Sequence, residues 1–479
     1  MKNRLRLEIE MLGFLLSKRL LSTLTILFLF FLSPLYGQKT PDAQNDHQQQ
    51  IDEILNRIVQ PVIPNRVFNL LDFGDAEEVY KNCKPAIDLA IKKCAKKGGG
   101  KIIVPAGDYF CRGTIHLQSN VNLHFEEGAT LTFSQNEEDF LPTVLVRWEG
   151  TECYNYSPYF YAKDQKNIAI TGKGKLNGNA EGGFVKWREK QKPAQKLLRQ
   201  MGKNGVDVED RRFGIGHFIR PAFIQFMNCQ NILIEDVQIE NVPFWVIQPT
   251  YCKNVTVRSV RIDSRNLNND GCDPDSSEDV LIEDCWFRTG DDAIAIKSGR
   301  DNDGWRINRP SRNIVIRNCK AELTLHGVAI GSELSGGVEN VYIQNFSMKK
   351  VDAFALQFKS NQDRGGYIRN VHIDGMDIDS TNTAIYFTND YHSYSGGNSP
   401  TSFENISIKN LTCNNAANKG IDMVGLENKP IKNIQFENVR IFSAKKGNRM
   451  INVKDVSLRN VLIDQKQIQS IKDFQKEEK

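Results

Sequence analysis

Ten cysteines occur in the chain, and no two are separated by two residues. That absence leaves no metal-finger spacing. A basic excess is missing too. The 479 residues carry 62 Lys and Arg against 58 Asp and Glu, and the first 37 residues hold five of the basic and two of the acidic side chains. The remainder is close to neutral, which excludes a phosphate-neutralising stripe and with it nucleic-acid binding. After residue 37 no apolar run approaches the ~20 residues of a membrane span. Nor is the chain poor in core formers: 40% apolar and 25% charged is a globular composition.

What is present begins with a targeting pattern. Lys18-Arg19 precede the apolar run Leu20 to Leu35, which is shorter than the ~20 residues of a span. Ser33, Pro34 and Gly37 break it, with Gly37-Gln38 as the cleavage point. Residues 1–37 are predicted as a signal peptide, and a retained anchor is the alternative. No Cys lies near the cleavage point for lipid attachment, and Met11 is an alternative start. Export to the periplasm or beyond is expected, with a soluble, monomeric mature chain.

From residue 231 one nine-residue pattern recurs: Asn or Asp, apolar, any, apolar, two of any, apolar, any, apolar. It reads Asn231-Ile-Leu-Ile-Glu-Asp-Val-Gln-Ile239 and Asn254-Val-Thr-Val-Arg-Ser-Val-Arg-Ile262, then restarts at Asp279, Asn313, Asn340, Asn370, Asn405, Asn433 and Asp455. A less regular copy starts at Asn167. Alternation rich in Val and Ile marks strands with one buried face. Two short strands split by a bend, one copy per ~20–30 residues, mark a solenoid. Neither four-stranded blades nor an LxxLxL repeat fits, so an all-β, single-stranded right-handed parallel β-helix is predicted. The heading Asn should stack into an amide ladder.

Solenoid ends need caps. Lys84–Lys97 places Ile87, Ile91 and Cys94 on one helical face before Gly98-Gly99-Gly100, and reads as the N-terminal capping helix. Residues 38–64 are predicted as a linker with a short helix, 65–465 as one domain and 466–479 as a polar tail. The register stacks Cys229 on Cys252 and Cys285 on Cys319. Disulfides and parallel buried thiols both remain open for these pairs.

Acidic groups fall at matching places on consecutive coils, as Asn268-Asn269-Asp270-Gly271-Cys272-Asp273-Pro274-Asp275 and Gly290-Asp291-Asp292. The next coils offer His326-Gly327 and Gln357-Phe358-Lys359-Ser360. Close carboxylates repel, so at least one should hold a proton near neutrality. A protonated carboxyl opposite ionised ones is the set that glycoside cleavage requires. Turn-forming Asp residues and a Ca²⁺ site are the competing readings.

These segments resemble the polygalacturonases, the pectin-cleaving glycoside hydrolases of family 28, which are pectin-lyase-like right-handed β-helices. The family's Asn-Thr-Asp, Asp-Asp, Gly-His-Gly and Arg-Ile-Lys segments are matched by Asn268-Asn269-Asp270, Asp291-Asp292, Leu325-His326-Gly327 and Gln357-Phe358-Lys359. Arg220-Pro221 and Pro243-Phe244-Trp245 extend the likeness. The resemblance implies inverting hydrolysis without a metal or cofactor. Asp291 would protonate the leaving oxygen, Asp270 and Asp292 would activate water, and His326 would tune Asp291. Lys359 would pair with a sugar carboxylate, and Asn268 would support the site.

Two departures stand out. Leu325 replaces the motif Gly, and Gln357 replaces the motif Arg, one of two cations expected at the substrate carboxylate. Lys297 is a candidate replacement cation. The charged segment from Trp187 to Arg220 is placed to wall off one end of the groove. Exo action on a pectic chain is therefore expected, releasing terminal galacturonic acid; endo cutting or a rhamnogalacturonan substrate is the alternative within the family. Outside it, the rivals are a Ca²⁺-dependent lyase and a non-catalytic carbohydrate-binding solenoid.

Overall fold

A computed structural model describes residues 43–392 and 396–474; the signal segment and the last residues of the tail lie outside them. The chain divides after Gln50 into two units. The described part of the first, 43–50, is helical and opens α1 (Ala43–Arg57). The second unit, from Ile51 onward, contains the coils.

Each repeat folds as its alternation predicts, because the two residues flanking its first strand take left-handed backbone. Asn254 and Ser259 have φ of 55° and 53°, Asn313 and Asn318 both 55°. Asn and Asp tolerate that region at little cost. The chain therefore turns at fixed positions and stacks in register. Val255, Val280, Ile314, Val341, Val371, Ile406, Ile434 and Val456 pair one above the next through successive parallel strands. Repeated at the other inward positions, such columns form one apolar core along the coils.

The amide ladder is present. Asn167 Nδ2 donates to Asn120 Oδ1, Asn231 to Asn167 and Asn254 to Asn231, each at 2.9 Å. It resumes from Asn313 to Asp279 and runs on through Asn340, Asn370, Asn405 and Asn433. It breaks between Asn254 and Asp279, because a carboxylate has no N–H to donate. Asp279 instead accepts from Arg57 at 3.2 Å.

The capping helix α2 (Lys84–Lys96) buries Ala86, Ile87, Ala90, Ile91 and Cys94. All ten cysteines are unpaired and buried. Two expected boundaries differ. Part of the expected linker packs on the coils, with Ile51 and Ile54 against Leu281, Val315 and Tyr342. The start of the expected tail closes the last coil: Lys466–Ile468 pairs antiparallel with Val453–Ile463, and Ile468 and Phe474 are buried. An open sheet edge needs such a cover, and the polar composition of the stretch hid its two apolar anchors.

Two excursions leave the coils and matter for the site. One is the hairpin Val144–Trp148 with Thr151–Asn155. The other, within 187–220, contains α3 (Lys192–Lys203).

Candidate active site

Strand register delivers the carboxyls. Strand β1 (Asp292–Ile296) pairs with β2 (Lys320–Gly331), setting Asp292 beside His326. One coil earlier Cys272 bridges Ile294, so Asp270 stacks under Asp292 at about the 4.8 Å coil spacing. Asp291 precedes Asp292 at the strand edge and stands more open. Its side chain is 20% exposed, against 1% for Asp292 and 4% for Asp270.

The three carboxyls have different partners. His326 Nδ1 lies 2.5 Å from Asp292 Oδ1 and 3.4 Å from Asp291 Oδ1. Lys359 Nζ lies 2.9 Å from Asp292 Oδ2 and 3.3 Å from Oδ1. Burial alone would raise the Asp292 carboxyl; Lys359 and His326 outweigh it and hold the group well below the usual carboxylate range. His326 is raised in return: burial opposes its charge, but Asp292 and Asp291 favour it more.

Asp270 behaves oppositely. Burial pushes it up to about 7 despite Lys297 Nζ at 3.0 Å, and the neighbouring Asp291 and Asp292 add to the rise. Among the described residues its Oδ1 has no hydrogen-bond partner. Asp270 is thus held toward its neutral form, by burial first and by its carboxylate neighbours after that. Asp273 is buried with neither oxygen hydrogen-bonded among the described residues, and burial first, then Asp270, raises it well above the usual carboxylate range. Asp275 is a structural group, bound by Arg147 Nη1 at 2.8 Å.

The other expected residues also come together, not always as foreseen. Asn268 Nδ2 donates to Asp291 Oδ2 at 3.2 Å, and its own oxygen accepts from Arg220 Nη2 at 2.8 Å. Arg220, fully buried, is held in turn by Gln191 and by the carbonyls of Pro243 and Leu267. Lys297 is no surface cation: it is buried among Asp270, Asp273 and Glu333 and lies 4.2 Å over the Trp245 ring. Gln357 is fully buried, and among the described residues neither side-chain amide atom has a hydrogen-bond partner. Leu325 is exposed, and its N–H donates to the Asp291 carbonyl at 3.2 Å.

The cleft has further walls that sequence reasoning missed: Glu149, Arg199, Arg300, Glu333 and Tyr391. Arg300 Nη2 lies 2.5 Å from Glu333 Oε1, and Lys359 Nζ sits 5.3 Å from the centre of the Tyr391 ring. Arg199 stands on α3, Glu149 at the turn of the 144–155 hairpin and the other three on loops between coils, where the repeat's periodicity marks none of them. Asp291, Asp292 and His326 offer donor atoms within 4.8 Å of one another. Both Asp292 oxygens are already engaged, so a cation bound there would have to displace a buried ammonium.

The profile described as Glycosyl hydrolases family 28 matches residues 94–461. The crystal structure of an exopolygalacturonase from Thermotoga maritima superimposes with a TM-score of 0.81 at 37% identity, covering 87% of this chain and 96% of that one. A probable polygalacturonase of Vitis vinifera is 26% identical over 397 residues, 80% of this chain and 75% of that protein. An exo-poly-α-D-galacturonosidase of Dickeya chrysanthemi is 26% identical over 407 residues, 78% of this chain and 66% of that protein.

Proposed function

We infer the reaction from one premise: the chain belongs to glycosyl hydrolases family 28. It is a glycoside hydrolase. Its substrate in our reading is a pectic chain of α-linked galacturonic acid, and it works from the chain end. The names of the Thermotoga and Dickeya relatives support that choice.

The observation that carries the mechanism is the unequal setting of three carboxyls on two coils. Asp291 is the most open of them, so the leaving glycosidic oxygen meets it first and takes its proton. Asp292, held ionised by Lys359 and His326, is the base that draws a proton from water. Asp270, neutral below about 7, orients that water by hydrogen bonding and shares the base role once ionised. Water attacks the anomeric carbon opposite the leaving oxygen, the inverting course. Asn268 and Arg220 fix the Asp291 carboxyl, and the third proton of the Lys359 ammonium is available to a sugar carboxylate.

The run Leu20 to Leu35 behind Lys18-Arg19 supports export of the enzyme. Among the described residues no helix is long and apolar enough to cross a membrane.

Product sizes test the end-acting reading. Digestion of polygalacturonate should accumulate galacturonic acid from the first minutes, with little fall in viscosity. Early oligomers of intermediate length and a rapid viscosity drop would contradict it.

A further inference from the structure

Among the described residues Arg220 is a buried cation without an ion-pair partner. Its guanidinium hydrogen bonds all end on neutral oxygens: Gln191 Oε1 at 2.9 Å, the carbonyls of Pro243 and Leu267 at 2.8 and 2.9 Å, and Asn268 Oδ1 at 2.8 Å. The Phe244 ring centre lies 5.1 Å from its Cζ. Burial, and Arg188 after it, lower Arg220 to about 10, which leaves it charged at neutral pH. A charge held in the interior without an opposite charge is costly. This one stands directly behind Asn268, the residue that donates to Asp291.

The contacts leave one orientation for the Asn268 amide. A guanidinium only donates, so the Asn268 oxygen must face Arg220 and its NH₂ must face Asp291. A hydrogen bond from that NH₂ to a carboxylate is charge-assisted and about twice as strong as one to a neutral carboxyl. It therefore gains strength as Asp291 gives up its proton, and a cation on the far side of the amide polarises it in the same sense. Arg220 ends the 187–220 excursion, and Gln191, buried just before α3, accepts from its Nε. The chain Gln191–Arg220–Asn268–Asp291 thus runs from outside the β-helix repeat to the catalytic acid.

We propose that Gln191 and Arg220 are positioning residues for proton transfer, acting through Asn268 on Asp291. In that step the Asp291 proton moves to the leaving oxygen as its bond to the anomeric carbon breaks. Asp291 is left as the carboxylate, and the Asn268 N–H, polarised by Arg220, meets the new charge. The 187–220 segment then takes part in the chemistry itself. The inference rests on the acid role given to Asp291 above.

A leaving group that needs no proton tests it. Arg220→Met should lower kcat on trigalacturonate by about 10–10²-fold, part of what acid catalysis supplies, with KM changed by less than about twofold. On nitrophenyl α-galacturonide, whose phenolate departs unprotonated, the loss should stay under about threefold. Gln191→Leu keeps the other Arg220 bonds and should show the same contrast in milder form; it decides by the same criterion if thermal melting shows Arg220→Met unfolded. On trigalacturonate, Arg220→Met combined with Asn268→Gly should lose no more than Asn268→Gly alone, since glycine takes the φ of 61° at that position without strain. Equal losses on both substrates in a folded variant, or losses that multiply in the double variant, overturn the proposal. Asp291→Asn, run beside them, separates the two readings. If it shows the contrast and the Arg220 and Gln191 variants do not, only the positioning assignment falls. If it shows none, the acid role falls, and if the unaltered enzyme hydrolyses neither galacturonide, the pectic reading falls; each takes the proposal with it.

Discussion

Replacing Asp291 by Asn should lower kcat by at least the ~10²–10⁴-fold that general acid catalysis contributes. The amide keeps the size of the side chain but has no acidic proton to give the leaving oxygen. The fold should survive, because Asp291 lies at the open edge of the strand, with Asn268 and His326 as its neighbours. Substrate affinity should change far less than kcat, since the interaction removed is made in the transition state. A variant that turns over at near the unaltered rate would take the acid role from Asp291.

Lys359→Met should cost activity in a pH-dependent way. Against its burial, Asp292 is held ionised by Lys359 and His326 together. Removing the ammonium leaves a buried carboxylate with one partner fewer, a change of about 3–5 kcal/mol when a buried pair is broken. The sign follows from the direction of the shift. A depressed carboxyl contributes stability that is present above its unfolded value of about 3.9 and lost as pH falls through the lower folded value. With Lys359 gone the folded value rises, so the base is protonated at a higher pH. The acid limb of kcat/KM should move up by at least one unit, about tenfold per unit at a fixed acidic pH. Loss of activity by the same factor at every pH from 4 to 8 would mean that Lys359 serves substrate binding alone.

Much of the fold was legible because its cause is local. A left-handed Asn or Asp at each coil start and a two-residue alternation leave few other ways to bury Val255, Val280 and Ile314 together. The carboxyl cluster followed from that register, as did the stacking of His326 on the Asp292 coil. What escaped is the setting of each group. Nothing in the spacing distinguishes a surface Lys297 from one buried between Asp270 and Glu333, or tells that the Gln357 side chain lies buried with no hydrogen-bond partner among the described residues. Arg300 and Glu333 sit on loops whose place over the coils is set by tertiary packing. The 187–220 segment was recognisable as an excursion, but nothing in its sequence ties Gln191 and Arg220 to Asn268.

The roles assigned to the three carboxyls are tested most directly by the stereochemistry of the first product. Proton NMR of trigalacturonate during its first minutes with the enzyme resolves the two anomers before they equilibrate in water. Activation of water by Asp292 and Asp270, opposite an acid at Asp291, gives the β-anomer first from an α-linkage. First appearance of the α-anomer would mean a covalent intermediate on one of these carboxylates and would contradict the assignment.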